Sequence, residues 1–433
     1  MLRDFFSNRI LEKLRSRDIA SSYPNEICTS KVPISPFVIL KECSKEKLHD
    51  LIDVKHKAVL MRVRLSNLEL KKDLVPVPYI ATHKCKGIVR GAYDNGRILS
   101  AELIAEITLT DIDYSIIRKQ YNFDMEILKV ATARYGMMPE PLRRCVLEYF
   151  RNKTQYKDKE SDEEHTAQFY ELMYQKAKAL LNAQYGMTAQ DPVKQKMIYT
   201  NGHNKDPEDH DLYKLDDSKS EEELLEDYNK KAFLVYQWGV WITARAREHL
   251  QKAIDLCGYE HFVYCDTDSV KFVGDVDFSA LVKEDMKKAK AYGAFAKDQK
   301  NKVHYMGIFE EEPSMIRFKT MGAKKYAYEA LDKDGNVKLH ITIAGVNKRI
   351  GAIELKRAGG LEAMQEGFVF RFGGGLEAKY NDDPEVTQIV NEDGVPIRIT
   401  RNVALKPNTK TLGLKADYKE LLEGITRTQF DMI

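Results

Sequence analysis

Two aspartates separated by one threonine stand in the segment YCDTDSVKF, between apolar residues that favour a β-strand. Carboxylates this close repel each other unless a cation lies between them or water screens them. Asp266 and Asp268 share a face in extended geometry, so at a hairpin tip their oxygens could converge on a divalent cation. The pattern also fits an ordinary polar turn, and a metal site would need a carboxylate from elsewhere.

The best candidate for that further carboxylate is Asp18, in the segment SRDIASSYPNEI. Asp18 ends a strand-like run, and the small residues Ala20, Ser21 and Ser22 after it leave backbone N–H groups open to an anion. Taken alone, Asp18 also fits the cap of a helix or turn.

A second pair with the same spacing, Asp111 and Asp113, follows Thr110 at the predicted start of a helix. Acidic residues in a first helical turn complement the helix dipole, so we interpret this pair as structural. His203 and His210 lie in an acidic, turn-rich stretch without the spacing of metal ligands, and we interpret them as solvated surface.

A cation, an amide and an aromatic ring share one helical stripe in KALLNAQYG, because Lys178, Asn182 and Tyr185 are spaced i, i+4 and i+7. Gly186 is predicted to end this helix. An ammonium can bind phosphate and a ring can stack on a base, so the stripe is suited to a nucleotide. An amphipathic core stripe with a surface lysine is the alternative.

The composition is that of a large globular protein with 433 residues, 43% apolar residues and a net charge of +2. Six scattered cysteines form no CxxC pair, which predicts a reducing compartment and no zinc framework. No apolar run reaches membrane-spanning length, and the first residues do not resemble a signal peptide. These features predict a soluble, cytoplasmic protein without a membrane partner.

The coarse pattern of elements is α+β without regular βαβ alternation. A strand is predicted at KAVLMRVRL, and helices are predicted from Glu140 to Leu181 and across VWITARAREHLQKAIDLCG, where the final glycine, Gly258, ends the helix. Hairpins are predicted at Asn95-Gly96, Asp334-Gly335 and Asp393-Gly394.

Together these segments resemble the sequence motifs of family B DNA polymerases. DIASSYP is similar to D-x-x-S-L-Y-P, with Ser22 where leucine is usual, and KALLNAQYG is similar to K-x-x-x-N-S-x-Y-G, with Ala183 in place of serine. YCDTDS matches Y-x-D-T-D-S, and RFKTMGAKKYAYE carries Lys324-x-Tyr326 like the family's K-x-Y. The four motifs occur in the family's order, and WGVWITARARE resembles a helix of the phage-type, including protein-primed, polymerases.

The resemblance implies an α+β enzyme shaped like a right hand, with an antiparallel palm sheet, helical fingers and a thumb with hairpins. The expected division is 1–138 for the first part of the palm, with room for an insertion, 139–188 for the fingers, 189–232 for an inserted subdomain, 233–330 for the second part of the palm, and 331–433 for the thumb.

The resemblance also implies template-directed addition of dNTPs to a primer by phosphoryl transfer that depends on two Mg²⁺ ions, with Mn²⁺ as the alternative. Asp18 and Asp268 would be the catalytic metal ligands, with Asp266 as a weaker ligand and the Ile19 carbonyl as a further one. Lys324 and Tyr326 would hold the primer end.

The same resemblance assigns the binding of the incoming nucleotide. Tyr23 would exclude a ribose 2′-hydroxyl, Lys178 would pair with the triphosphate, and Lys176 and Arg151 are weaker phosphate candidates. The full set of expected nucleotide-binding residues is Ile19, Ser21, Ser22, Tyr23, Lys178, Asn182 and Tyr185.

The family carries a proofreading exonuclease before the first motif, whereas 17 residues precede Asp18 here. We therefore expect the polymerase half alone, with primer-template DNA and dNTPs as partners, and with a separate exonuclease-bearing chain or a priming protein as a further one. A phage-encoded chain would work in the host cytoplasm. Apolar side chains expected on an exposed surface near the start are Leu2, Phe5, Phe6, Ile10 and Leu11.

Two rival interpretations remain on the sequence alone. The chain could be a non-catalytic or split-gene half of a polymerase that binds DNA and needs a separate N-terminal chain. It could also be a metal-dependent nuclease or phosphotransferase, although such an enzyme leaves the stripe of Lys178, Asn182 and Tyr185 unexplained.

Overall fold

The computed structural model describes residues 9–71, 75–94, 96–190, 197–199, 213–215, 218–231, 234–371, 376–380, 389–390, 396–397, 403–407 and 409–413. Within these residues the chain combines antiparallel sheets with helices, so the predicted α+β class is confirmed.

The largest sheet has seven antiparallel strands and brings together segments from both ends of the described chain. Its members are β1 (Ile10–Ile19), β11 (Phe262–Asp266), β12 (Ser269–Phe272), β15 (Phe309–Glu311), β16 (Met315–Thr320), β17 (Lys325–Leu331) and β18 (Val337–Ile343). The order is β11-β12-β1-β16-β17-β18, and β15 pairs with the end of β1 on the side away from β12. Strand β1 is therefore central, and its last residues are hydrogen-bonded on both sides.

Helices α7 (Tyr236–His261) and α8 (Ser279–Ala291) pack against this sheet in one apolar cluster with β11 and β12, and α1 (Ser22–Thr29) packs on α7. Trp241 of α7 lies in the cluster shared with α1 and is 1% exposed. Gly258 has φ +64° and interrupts the regular helix before β11, which confirms the predicted glycine stop. The chain then enters the hairpin of β11 and β12, which we call the DTD hairpin after Asp266, Thr267 and Asp268.

A second sheet lies between Val38 and Ala133. Its strands are β3 (Val38–Leu40), β4 (Ala58–Leu70), β5 (Cys85–Asp94), β6 (Arg97–Thr110) and β7 (Tyr121–Ala133), in the order β3-β7-β4-β6-β5. Strand β4 covers the predicted strand at KAVLMRVRL from Ala58 onwards. The pairing of β5 with β6 up to Asp94 and Arg97 confirms the predicted hairpin, whose turn residue Asn95 lies outside the described residues. Helix α2 (Lys45–His49), a π-helical turn (Asp50–Val54) and a 3₁₀ turn (Thr82–Lys84) complete this part.

Helix α3 (Asp111–Gln120) begins where β6 ends, as predicted for the second aspartate pair. Thr110 and Asp113 form a capping box. Both aspartates are also buried and bind distant groups: Asp113 accepts a hydrogen bond from Arg247 at 2.8 Å, and Asp111 accepts one from Tyr135 at 2.6 Å. Their role is therefore larger than complementing the helix dipole, because they attach the second sheet to α7.

The helical stretch predicted from Glu140 to Leu181 is two helices, α4 (Glu140–Tyr156) and α5 (Ala167–Thr188). The break contains a turn in which Asp162 accepts backbone hydrogen bonds from Glu164 and His165, and Thr166 then caps α5. A helix-compatible composition does not reveal such a break, because capping residues compete locally with the helical ladder.

The remaining described elements are short. They are β2 (Lys31–Pro33) paired with β8 (Tyr135–Met137), β9 (Met197–Tyr199) with β10 (Tyr213–Leu215), β13 (Phe295–Lys297) with β14 (Val303–Tyr305), β19 (Val369–Phe370) with β24 (Lys410–Thr411), β20 (Leu376–Tyr380) with β23 (Val403–Pro407), β21 (Ile389–Val390) with β22 (Pro396–Ile397), helices α6 (Glu221–Lys231) and α9 (Lys348–Arg357), and a 3₁₀ turn (Gly360–Ala363).

Two predicted hairpins fall in the last third of the chain. The pairing of β17 with β18 confirms the one at Asp334-Gly335. Strands β21 and β22 pair on either side of Asp393-Gly394, which itself lies outside the described residues, as do His203 and His210.

The predicted exposed surface near the start is wrong for Ile10 and Leu11. Both are partly buried, because β1 already begins at Ile10 and pairs there with β16, so that Ile10 and Leu11 pack against two apolar clusters. Leu2, Phe5 and Phe6 lie outside the described residues.

Candidate active site

Asp18, near the end of β1, lies beside Asp268, which stands in the turn between β11 and β12. Asp18 is the last residue but one of β1 and stands opposite Ser269 of β12, while the Ile19 N–H donates to the Asp268 carbonyl at 2.8 Å. Asp266 ends β11 and Thr267 has φ +55°, so the Asp268 N–H donates back to the Asp266 carbonyl at 2.6 Å. The structure thus brings all three sequence-predicted carboxylates to one end of the sheet.

The environment of these carboxylates is unfavourable to negative charge. Burial, followed by the charges of Asp268 and Glu312, raises the pKa of Asp18 to about 7. Burial and then the Asp266 charge also raise the pKa of Asp268. Glu310 adds to the cluster because it stands directly opposite Asp18 on β15. A cation at this position would relieve the repulsion.

Two lysines supply part of the compensating charge. Lys271 is 2% exposed on β12, and burial lowers its pKa despite the neighbouring Glu312, Asp18 and Asp266. Lys324, which the sequence placed near the primer, has its Nζ 3.7 Å from Asp266 Oδ1. Sequence reasoning missed Lys271, although it follows Ser269 by two residues and therefore shares a face of β12 with it.

The donor set suits a hard divalent cation bound together with a substrate. Within the described residues there is no group of three or more histidine, cysteine, aspartate or glutamate side chains arranged to hold a metal ion. Two carboxylates and the Ile19 carbonyl are nevertheless oxygen donors of the kind that Mg²⁺ and Mn²⁺ prefer. Mg²⁺ is commonly bound by one or two carboxylates plus substrate phosphates, which matches Asp18 and Asp268.

The turn after Asp18 presents the start of α1 to the site. Ser21 has left-handed φ and ψ of 54° and 57°, and its side chain does not cap the helix that begins at Ser22. Its hydroxyl instead accepts a hydrogen bond from Lys153 Nζ at 3.1 Å. Backbone N–H groups of an uncapped first turn, with a lysine beside them, favour an anion.

A cavity of about 460 Å³ opens beside Asp18. Its lining comes from the β1–α1 turn (Asp18, Ala20, Ser21), from α4 and the residues after it (Phe150, Lys153, Thr154, Lys157, Asp158), from α5 (Tyr174, Lys178), from the β13–β14 hairpin (Asp298, Gln299, Lys300, His304, Tyr305) and from β15 (Glu310). The cavity therefore joins a carboxylate cluster to a group of lysines.

Lys153 is one of four basic residues on this cavity that sequence reasoning missed, together with Lys157, Lys300 and His304. Burial and the nearby Lys178 lower the pKa of Lys153. The weaker candidates Arg151 and Lys176 do not line the cavity, because each precedes a lining lysine by two residues and so points about 200° away around its helix. The signal that was available is the i, i+4 spacing of Lys153 and Lys157.

The two tyrosines expected to contact the nucleotide touch each other. The rings of Tyr23 and Tyr185 stack with centroids 4.0 Å apart and planes inclined by 13°. The Tyr185 hydroxyl is 2.8 Å from Thr243 Oγ1 on α7, which fixes its ring from behind. Asn182 is exposed on α5, one turn from Lys178.

The prediction that Gly186 ends the helix is wrong, since α5 continues to Thr188. The end of α5 is held against α7 at Gly239, where a Cβ would lie 2.9 Å from Thr188 Oγ1. This packing offsets the cost of about 1 kcal/mol for a glycine inside a helix.

Lys324 and Tyr326 are close to the DTD hairpin. The Lys324 N–H donates to the Tyr264 hydroxyl at 3.0 Å. Tyr326 is 9% exposed and its ring centroid lies 5.2 Å from that of Tyr264. Lys324 and Tyr326 therefore both contact β11, the strand that ends at Asp266.

No protein-family model matches the chain, and no curated protein matches its sequence. Among solved structures, it is similar to phi29 DNA polymerase in a ternary complex with primer-template DNA and incoming nucleotide substrates, with 18% identity and a TM-score of 0.61 over 95% of this chain and 60% of that one. The binary complex of phi29 DNA polymerase with primer-template DNA gives 17% identity, a TM-score of 0.61 and coverages of 95% and 59%. The orthorhombic crystal form of phi29 DNA polymerase gives 18% identity and a TM-score of 0.60, over 95% of this chain and 60% of that one.

The chain thus spans about three fifths of the length of the polymerases it matches. None of the helices within the described residues is both long enough and apolar enough to cross a membrane. The likeness covers nearly the whole of this chain, and it confirms the resemblance to a protein-primed family B polymerase at the level of the fold. Over 95% of its length, the chain has the fold of about three fifths of phi29 DNA polymerase.

Proposed function

We propose that the chain is a DNA-directed DNA polymerase that adds dNTPs to a primer 3′ end by phosphoryl transfer. The observation that carries this proposal is the pair of Asp18 on β1 and Asp268 in the turn between β11 and β12, beside a cavity lined with lysines. A carboxylate pair next to a phosphate-sized basic cavity has the parts that phosphoryl transfer requires, namely positioning and neutralisation of charge.

Asp18 and Asp268 would hold two Mg²⁺ ions, or Mn²⁺, with the Ile19 carbonyl as a further ligand. Bound there, the ions would activate the primer hydroxyl and neutralise the triphosphate. Asp266 is the weaker ligand, since it already faces Lys324 at 3.7 Å. Lys271 limits the excess of negative charge in the carboxylate cluster.

The triphosphate of the incoming nucleotide would occupy the basic part of the cavity. Lys178 and Lys153 bind phosphate oxygens from two helices, and the N–H groups at the start of α1, around Ser21 and Ser22, bind from below. Asn182 lies one turn along α5 from Lys178 and orients the same group.

Tyr23 and Tyr185 would enclose the sugar and base. A nucleotide that contacts both rings must separate or displace the stacked pair. Tyr23 follows the phosphate turn directly and excludes a ribose 2′-hydroxyl by its bulk. Tyr185, supported by Thr243, packs against the new base pair.

Primer-template DNA would lie across the large sheet, with Lys324 and Tyr326 at the primer end. The large sheet with α1, α7 and α8 would then be the palm, α4 and α5 the fingers, and the part of 331–433 that follows β18 the thumb. Sequence is supplied by base pairing with the template, so protein contacts are mainly to phosphate and binding weakens with salt.

The test is extension of an end-labelled primed template in Mg²⁺ with all four dNTPs. The native chain should lengthen the primer, whereas Asp18→Ala and Asp268→Ala should abolish lengthening while DNA binding persists. Asp275→Ala is the matched control, because Asp275 lies just beyond β12 with a fully exposed side chain and should leave extension unchanged. Near-normal extension by Asp18→Ala would refute the proposed site.

A further inference from the structure

The β13–β14 hairpin forms one wall of the cavity and lies outside all four polymerase motifs. Its strands run from Phe295 to Lys297 and from Val303 to Tyr305, and the loop between them points towards α4. Lys300 and His304 of this hairpin line the same cavity as the α4 and α5 lysines. Basic groups therefore line the cavity both from the helices and from the hairpin.

The hairpin is fixed to the helical wall by a side chain of its own loop. The Gln299 amide donates hydrogen bonds to the carbonyl oxygens of Gln155 and Lys157, at 2.5 and 3.4 Å. Helix α4 ends at Tyr156, so these carbonyls belong to the group that a helix end leaves without partners. The contact sets the distance between the two basic walls.

Asp298 arranges the loop around its own carboxylate. It accepts backbone hydrogen bonds from Lys300 and Lys302, both at 2.9 Å, and lies 2.9 Å from His304 Nε2. The His304 hydrogen bond is the largest cause that lowers the pKa of Asp298, which keeps the carboxylate ionised. The same hydrogen bond fixes the orientation of the His304 ring at the cavity wall.

The distribution of charge along the cavity matches a chain of phosphates. Asp18 and Glu310, paired on β1 and β15, line the cavity from the sheet, where the carboxylate cluster begins. The basic groups line it from the helical wall (Lys153, Lys157 and Lys178) and from the hairpin wall (Lys300 and His304), and each wall also carries one aspartate, Asp158 and Asp298. A phosphate chain with its inner end at the carboxylates would place its outer phosphates between the two walls.

We propose that Lys300 and His304 bind the outer phosphates of the incoming nucleotide, and the inorganic pyrophosphate that leaves after the reaction. Asp298 positions His304, and Gln299 holds the hairpin at the distance that lets both walls contact one ligand. This assignment rests on the proposed function of the same cavity, and it adds a binding element outside the polymerase motifs.

The experiment compares Lys300→Ala and His304→Ala with Lys302→Ala in primer extension. Lys302 is the matched control, because it lies in the same loop with an exposed side chain and does not line the cavity. The first two variants should each raise KM for dNTP and the inhibition constant of pyrophosphate by about tenfold, as expected for a charged hydrogen bond to phosphate. The affinity for primer-template DNA, measured by fluorescence anisotropy, should not change.

Lys300 is exposed, so its replacement should leave the fold intact, which thermal unfolding of the variant checks. Unchanged KM and pyrophosphate inhibition in Lys300→Ala would overturn the proposal, as would an equal effect in Lys302→Ala. A loss of DNA affinity that matches the loss of nucleotide affinity would overturn it too, because the hairpin would then contact the duplex.

A binding measurement separates this proposal from the proposed function. Calorimetry with inorganic tripolyphosphate and Mg²⁺ on the full chain should show binding that Lys300→Ala and His304→Ala weaken and Lys302→Ala does not. If the native chain bound tripolyphosphate in this way but extended no primer, the hairpin assignment would stand and the polymerase function would fall. If the chain extended primers and both variants kept unaltered constants, the polymerase function would stand and the hairpin assignment would fall.

Discussion

Asp18 is a carboxylate whose charge state depends on what shares its pocket. Burial and the neighbouring Asp268 raise its pKa to about 7, so in the absence of a cation it is only partly ionised at neutral pH. A bound divalent cation reverses the balance and favours the ionised form. The same side chain should therefore reduce stability without metal and bind metal when it is supplied.

Replacing Asp18 by asparagine should stabilise the metal-free protein at pH 8. A carboxyl group whose pKa is higher in the folded state lowers the stability of the protein as pH rises from the unfolded-state pKa near 4 to the folded-state pKa. The gain in Asp18→Asn should be roughly 1–3 kcal/mol at pH 8 after allowance for solvent screening, and smaller at pH 5. Thermal unfolding in EDTA at the two pH values measures it.

Mg²⁺ should reverse the order of stability of the native chain and Asp18→Asn. A ligand that binds the folded state alone stabilises it, so millimolar Mg²⁺ should raise the unfolding temperature of the native chain more than that of Asp18→Asn. A variant less stable than the native chain in EDTA at pH 8, or an equal response to Mg²⁺, would contradict the repulsion argument. Asp275→Asn, at an exposed position, should show neither effect.

Tyr23 carries a prediction about the choice of sugar. Tyr23→Val should raise the incorporation of ribonucleotides relative to deoxyribonucleotides by at least about tenfold, because the bulk beside the 2′ position is lost. Tyr23→Phe keeps the ring and should keep the discrimination. Competition between rNTP and dNTP on one template measures the ratio of ribonucleotide to deoxyribonucleotide incorporation. An unchanged ratio in Tyr23→Val would mean that another residue excludes the 2′-hydroxyl.

Lys178 and Lys176 form a matched pair on α5, since only Lys178 lines the cavity. A charge-assisted hydrogen bond to phosphate contributes about 1.5–3 kcal/mol, so Lys178→Ala should raise KM for dNTP by roughly 10- to 150-fold. DNA affinity should change far less. Equal losses of nucleotide and DNA affinity would mean that Lys178 faces the duplex, and Lys176→Ala should alter neither.

At the scale of elements, the junction between α3 and α7 depends on one buried ion pair. Burial alone would raise the pKa of Asp113, yet the guanidinium of Arg247, 2.8 Å away, and hydrogen bonds lower it overall. The pair therefore stabilises the fold above the ordinary pKa of aspartate, and the contribution is lost as pH falls through the lowered value.

Removing Arg247 should leave Asp113 as a buried charge without its cation. Arg247→Ala should cost about 3–5 kcal/mol near neutral pH and less in acid. Arg118→Ala is the control on the same helix, α3, because its partner Asp53 in the π-helical turn is exposed and the loss should stay below about 1 kcal/mol. Urea unfolding of the two variants measures the difference, and equal losses would contradict the proposed role of the junction.

Local elements could be predicted where the chain itself carries the signal. The DTD hairpin, the capped start of α3 and the glycine before β11 each depend on residues a few positions apart. The end of α5 was missed because it depends on contact with Gly239 about fifty residues later. A local pattern cannot contain such a contact.

At the scale of the whole molecule, some residues of the candidate site could be predicted from the sequence and others could not. The motif residues Asp18, Asp268 and Lys178 were predicted from their types and order. Lys153, Lys271 and Glu310 were missed, because their place at the site depends on α4 packing and on β12 and β15 pairing with β1. Strand pairs separated by more than 250 residues are set by the global fold, which one sequence does not display.

The 433-residue polypeptide should extend primers without trimming them. Of the pairs with DxD spacing among the described residues, one belongs to the site itself, and Asp111 and Asp113 are bound to Tyr135 and Arg247. In the other two pairs, Asp275 and Asp277 accept hydrogen bonds from Arg15 and Ser279, and Asp332 accepts one from the Asn336 N–H in a turn. Incubation with Mg²⁺ and a labelled 3′-mismatched primer, without dNTPs, should leave the primer length unchanged. Shortening that follows the chain through repurification and is absent from mock preparations would contradict this expectation.

The measurement that tests the central claim most directly is addition of a single nucleotide on four templates that differ only at the templating base. Each template is combined in Mg²⁺ with each dNTP in turn, using the native chain and Asp268→Ala. We expect the native chain to add the complementary nucleotide on every template and Asp268→Ala to add none. Addition that ignores the template base, or an Asp268→Ala variant as active as the native chain, would contradict the account.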